Sequence, residues 1–152
     1  MTTTISRAGP ADLDSLAGLF DAYRQFYGQP SDLARARQWL RERLRFGESV
    51  VLVARRESAL AGFVQLYPMF SSVRTAKTWV LNDLYVDAGA RRRGVARALL
   101  DAAAAFARAD GAAGIALETA QDNAAARALY RAAGWREDAT QWYSLAFADA
   151  RH

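Results

Sequence analysis

The run Arg91-Arg92-Arg93-Gly94-Val95-Ala96-Arg97 stands where a strand-like stretch gives way to a helix-like one. At such a junction unpaired backbone N–H groups converge, the aligned peptide dipoles add positive potential, and a glycine lets a ligand come close to the chain. Three consecutive arginines add full charges, and the combination suits a pyrophosphate. A solvated charge run beside a helix start is the plainer reading of the same residues. The run has one Gly where a dinucleotide fingerprint needs three, and it lacks the Gly-Lys-Ser/Thr of a P-loop. Further along, Asp122-Asn123 is suited to cap a helix, and Tyr130 falls at the edge of that helix's apolar stripe of Ala125, Leu129 and Ala132. Residue type alone favours an aromatic that merely finishes a core face.

What is missing narrows the chemistry further. The 152 residues contain no Cys, and the single His is His152. A thiolate nucleophile, a disulfide framework, cysteine-based metal sites and Ser-His-Asp catalysis are thereby set aside, and no metal is expected. The net charge is +4, with Lys77 the only lysine among 20 cationic side chains. That balance favours anionic partners, although an Arg- and Ala-rich composition explains it as well. The N-terminal stretch lacks the basic-then-apolar order of a signal peptide, and no apolar run approaches about 18 residues, so a cytoplasmic protein without membrane contact is expected.

Elements that could position these residues follow from periodicity. Thr3 to Arg7 reads as a strand, and Pro10 opens a helix to about Tyr27 with Leu13, Leu16, Leu19, Phe20 and Tyr23 on one face. Gly28-Gln29-Pro30 breaks it. Ser31 or Asp32 caps a second helix to about Phe46, with Trp39, Leu40 and Leu44 inward and Arg35, Arg37, Arg41 and Arg45 outward. Ser49 to Arg55 and Gly62 to Met69 form a hairpin, with Pro68 at an edge or bend, and 70–77 is a loop. Trp79 to Val86, a helix from Gly94 to Asp110 and a strand from Ile115 to Thr119 make a parallel crossover. A helix from about Ala124 to Ala133 ends at Gly134, and 135–137 and 141–148 supply the last, antiparallel strands. One domain over 1–152 is expected, α/β in class, with a central mixed, mostly antiparallel sheet flanked by helices.

The stretches WVLNDLYVDAGARRRGVARALLDAAAAFA and LETAQDNAAARALYRAAGW together resemble the GNAT superfamily of acetyl-CoA-dependent N-acetyltransferases. Arg91-x-x-Gly94-x-Ala96 is similar to that family's Q/R-x-x-G-x-G/A pyrophosphate loop. Asn123 and Ala128-Leu129-Tyr130 resemble its second cofactor-side motif. The match extends over about 61–135 and implies the GNAT fold, acetyl-CoA as co-substrate and acetyl transfer to a primary amine. In the family's terms, backbone groups of Leu84, Tyr85 and Val86 hold the pantetheine arm, and the helix start from Arg92 to Arg97 holds the pyrophosphate. Asn123 bonds the pantetheine amides or caps its helix. Tyr130 takes the place of the general acid; a phenol near pKa 10 can protonate a thiolate whose thiol lies near 8.5.

The acceptor side is read from the segment GFVQLYPMFSSVRTAKTWVLNDLYV, which looks like the small-amine branch containing polyamine and thialysine acetyltransferases. Tyr27, with Phe26 and Gln29, forms one expected wall; Gln65, Tyr67 and Asn82 are expected substrate contacts. Where that branch carries a proton-accepting Glu, Asn82 stands, and an amide is no base. Asp83 adjoins it, but strand alternation turns it to the other face unless a bulge intervenes. Asp83 or Glu118 therefore receives the amine's proton through water, or the acceptor is an α-amine that loses its own proton more readily. The expected function is direct acetyl transfer to a small-metabolite amine by a homodimer. Two alternatives stand beside it: acetylation of a peptide or protein amine, and a non-catalytic module that binds coenzyme A or nucleic acid through its arginines. No nucleic-acid-binding motif is present.

Overall fold

The computed structural model describes residues 2–148; His152 lies outside them. Strands β1 (Thr3–Arg7), β2 (Val50–Arg56), β3 (Ala59–Ser71), β4 (Ala76–Val86) and β5 (Ile115–Ala116) form one sheet in sequence order. The first four pair antiparallel, and β5 lies parallel to β4. Helices α1 (Leu13–Phe26) and α2 (Leu33–Arg45) follow β1; α3 (Val95–Ala109) crosses from β4 to β5; α4 (Ala124–Ala132) follows β5. This is the α/β architecture that the sequence implies.

The sheet separates two cores. Leu16, Phe20, Ala36 and Leu40 of α1 and α2 pack on Val51, Val53 and Phe63. On the opposite face Leu99, Leu100 and Ala103 of α3 pack on Leu52, Val64, Leu66 and Leu81, with Leu129 and Tyr130 of α4 against the margin. Strand β2 is buried on both faces, which is why its apolar run is continuous rather than alternating. Gly62 is required where β3 meets this second core: a Cβ there would lie 2.7 Å from the Tyr85 carbonyl oxygen and 3.2 Å from Leu99.

Three expectations are corrected. Residues 70–77 are not a loop: β3 and β4 extend to Ser71 and from Ala76, leaving a short turn between them. Pairing of β2 with β3 ends at Val50↔Leu66, so Pro68 sits on a free edge that needs no N–H donor. Strand β5 pairs only through Ile115 and Ala116 instead of reaching Thr119. Finally, 135–137 and 141–148 form no strand. A strand needs a neighbour, and the short β5 offers little edge beyond Ala116. Trp142, Tyr143, Leu145 and Phe147 are consequently 73–89% exposed. No helix among the described residues is long and apolar enough to cross a membrane.

Candidate active site

The pairing of β4 creates the first half of the site. Trp79 and Val80 pair with β5, but Leu84, Tyr85 and Val86 pair only with β3. The two parallel strands therefore diverge after Val80. Backbone groups of Leu84 to Val86 that point away from β3 face an opening with no strand to receive them. Beyond that edge the chain turns through Arg91 to Gly94 into α3.

This helix start has no cap of its own. Gly94 is in the left-handed region at φ 77°, Arg92 likewise at 62°, and no side chain covers the first turn. The first intrahelical bond runs from the Ala98 N–H to the Gly94 carbonyl, at 3.0 Å, so the N–H groups of Val95, Ala96 and Arg97 are unspent. Helices α2 and α4 differ, because Asp32 accepts from the Arg35 N–H and Asn123 from the Ala126 N–H. Asn123 thus performs the capping half of its expected role. No other residue lies within 4 Å of the position a Gly94 Cβ would take. An uncapped helix start with open space before it fits a pyrophosphate.

The arginines divide by what already holds them. Arg91 donates from Nε to the Val86 carbonyl at 3.0 Å and lies over the rings of Phe26 and Tyr85. Arg97 is paired with Asp101. Arg92 and Arg93 form no ion pair among the described residues and remain exposed beside the helix start. Of the outward α2 arginines Arg35, Arg37, Arg41 and Arg45, only Arg37 forms an ion pair among the described residues, with Asp14; Arg43, on the same helix, pairs with Glu42 and Glu48 while lying over Trp39.

Tyr130 is half-buried beside Trp135 and lines an open cavity of about 890 Å³ with Leu117 and the exposed Glu118. Burial, with a smaller contribution from the nearby Tyr27, pushes its phenol above the usual value. The proton is therefore held across the neutral range, as an acid requires. Tyr27 is exposed and edge-on to Tyr23, so it stands at the lip between Tyr130 and the aromatic cluster of Phe26, Tyr23 and Tyr85.

The second half of the site lies on the α1/α2 face, and a bulge makes it. Gln65 pairs with Asp83 but Leu66 pairs with Leu81, so Asn82 is an extra residue in β4. Leu81 and Leu84 pack towards α3, while Asn82 and Asp83 both line a cavity of about 410 Å³ beneath α1 and α2. Alternation turns Asp83 away only in an unbroken strand; the bulge is the exception that brings it to this face. Asp83 is buried and accepts hydrogen bonds from Tyr23 Oη (2.9 Å), Gln65 Nε2 (2.9 Å) and Asn82 Nδ2 (3.1 Å). Burial, followed by the Asp83 charge and its hydrogen bond, pushes the Tyr23 phenol far above its usual range, so it serves Asp83 as a fixed donor.

Tyr67 lines the same cavity, and its phenol is also raised, chiefly by burial and next by Asp83. Gln65, expected to touch the acceptor, is fully buried and holds Asp83 instead. Trp39, expected inward, is 46% exposed at the cavity. Sequence periodicity placed it on the apolar face and missed it as a lining residue; its offset from fully buried Leu40 is the only signal. Tyr23, also missed, carries no sequence mark separating it from a core aromatic. Glu118 is grouped with Tyr130 and not with Asp83.

Against this geometry, residues 15–135 match the Acetyltransferase (GNAT) family, and the chain belongs to that family as a GNAT N-acetyltransferase. It is 43% identical over 134 residues to an uncharacterized N-acetyltransferase, YhfO, of Bacillus subtilis (strain 168), covering 88% of this chain and 90% of that one. A crystal structure of a probable acetyltransferase, 41% identical, superposes with a TM-score of 0.92 over 97% of this chain and 99% of its own. A predicted acetyltransferase of Clostridium acetobutylicum, crystallised with acetyl-CoA, shares the fold at 15% identity and a TM-score of 0.78, covering 99% of this chain and 100% of its own.

Proposed function

We propose that this chain transfers acetyl from acetyl-CoA to the primary amine of a small metabolite by direct attack, with Asp83 on the acceptor side and Tyr130 on the thiol side. The observation that carries the reading is the bulge at Asn82. It sets a buried carboxylate in a small cavity on one face of β4, just before the strand's free edge. The family uses acetyl-CoA, which when bound supplies an activated acyl carbon and a thiol leaving group. Backbone groups of Leu84 to Val86, the α3 start from Gly94 to Arg97, and Arg92 and Arg93 are suited to hold it.

The balance of the reaction assigns the remaining roles. The amine nitrogen bonds to the acyl carbon, the carbon–sulfur bond breaks, nitrogen loses a proton and sulfur gains one. Asp83, directly or through water, receives the first proton, with Tyr23 and Gln65 keeping its oxygens oriented. Tyr130 donates the second. Glu118 is the weaker candidate for the base, being exposed and on the Tyr130 side. Asn82 replaces the carboxylate of the polyamine branch, but the bulge restores one at the next residue. A cavity of about 410 Å³ suits a small molecule better than a protein segment. The exposed apolar side chains of 142–147 support the homodimer, which sedimentation equilibrium tests.

A thiol-release assay with acetyl-CoA across amino acids, polyamines, aminoglycosides and peptides tests the function. Turnover with a small amine, lost in Asp83→Asn, is expected. Release only with peptides, or none with any amine, overturns it.

A further inference from the structure

The cavity over Asp83 carries unmatched charges of both signs. Asp83 receives three hydrogen bonds, all from neutral donors, and forms no ion pair among the described residues. Glu42, on the same cavity, is already engaged by Gln38 Nε2 and by Arg43. Two cations are the reverse case: Arg24 and Arg35 also line this cavity, and neither pairs with a carboxylate among the described residues.

Arg24 is the more telling of the two, because its Nη1 is buried and has no hydrogen-bond partner. A buried donor of this kind costs free energy until an acceptor arrives. The carboxylate one helical turn away, Asp21, feels the Arg24 charge but makes no hydrogen bond to it and leaves Nη1 without an acceptor. Its oxygens already accept from Ser31 Oγ (2.7 Å), the Asp32 N–H (2.8 Å) and Gln25 Nε2 (3.2 Å), an arrangement that joins α1 to α2.

Resting on the assignment of Asp83 to the acceptor's amine, we propose that the acceptor is an amino acid or a similarly small amino carboxylate, its amine at Asp83 and its carboxylate at Arg24 and Arg35. A guanidinium presents a planar fork of donors that matches a carboxylate, whereas an ammonium on Asp83 completes the one carboxylate lining this cavity that no cation meets. Trp39 and Tyr67 supply the apolar and aromatic surface between the two ends. A polyamine fits this charge pattern poorly. Its second ammonium would meet two guanidinium groups, and Arg24 would remain without an acceptor.

Matched pairs of ligands decide the matter: lysine against its decarboxylated diamine, and alanine against alaninamide. Each is titrated calorimetrically into the full chain with and without coenzyme A, in parallel with thiol-release kinetics. The amino acid of each pair is expected to bind about 10–100-fold tighter than its carboxylate-free partner, the span that one or two charge-assisted hydrogen bonds supply. Arg24→Gln, checked for folding by circular dichroism, is expected to shrink that ratio below about threefold. Arg35→Gln, on the exposed helix face, gives a second reading should Arg24→Gln fold poorly. Equal or tighter binding of the carboxylate-free partners, no binding of either, or a ratio unmoved in both variants overturns the proposal. Thiol release from no amine would overturn the transferase reading separately, since the titrations still report the charge pairing.

Discussion

The two halves of the site are built in opposite ways. On the cofactor side a single local turn and one free strand edge present backbone groups, and side chains contribute mainly charge. On the acceptor side α1, α2, β3 and β4 each contribute a side chain, and a one-residue bulge decides which of them meet. A backbone site survives most sequence change around it, whereas a side-chain site changes its preference with each substitution.

Breaking the cofactor half should have the largest effect. Gly94→Glu places a side chain at a positive φ and a negative charge before the uncapped start of α3. Acetyl-CoA binding by calorimetry should be lost while circular dichroism is unchanged; retained affinity would remove the loop from the site. Tyr130→Phe keeps the ring and removes the proton, so kcat should fall by roughly 10²–10⁴ with little change in cofactor affinity. Because burial raises the Tyr130 phenol, its protonated form persists beyond the usual value near 10. The parent's kcat should therefore show no alkaline fall below about pH 10, and an earlier fall would point to another acid.

Beyond Asp83 itself, the groups that support the acceptor half should respond more gently and with a different signature. Gln65→Leu removes one hydrogen bond from Asp83 without touching the cavity wall, so kcat should drop by about tenfold with acetyl-CoA affinity intact. A parallel loss of acetyl-CoA affinity would mean the halves are not separable. The smallest expected effect is on stability. Asp21→Ala breaks the links to Ser31 and Asp32 that fix the α1–α2 connection, at a cost of about 1.5–3 kcal/mol in urea unfolding at pH 7. Those same bonds hold the Asp21 carboxyl below its ordinary value. Its contribution is complete above the unfolded value of about 3.9 and is lost as pH falls through the lower folded one, so parent and variant should converge in acid.

The same contrast explains what was legible in the sequence. Arg91 to Arg97 and Asn123 to Tyr130 are contiguous, so their residue types carried both the family resemblance and the helix boundaries. Asp83 was visible, but its facing was not. Alternation gives the wrong face when one residue is inserted, and nothing in WVLNDLYV marks Asn82 as the insertion. Tyr23 and Arg24 looked like ordinary members of an amphipathic helix, because their partners lie on β4 and across the cavity. The stretch 141–148 shows the limit in the other direction: its apolar alternation is plain, yet a strand is a property of two segments.

The divergence of β4 from β5 has a thermodynamic side. Peptide groups that would otherwise be spent on a neighbouring strand are left for a ligand, so the sheet is one partner short until that ligand arrives. Occupancy and folding then become linked quantities. At a ligand concentration one hundred times its dissociation constant the folded state gains about 2.7 kcal/mol. Amide hydrogens from Leu84 to Val86 that face the opening should exchange quickly with deuterium in the free chain and slowly in the loaded one. The protein's resistance to heat and proteolysis would then track the supply of its acyl donor.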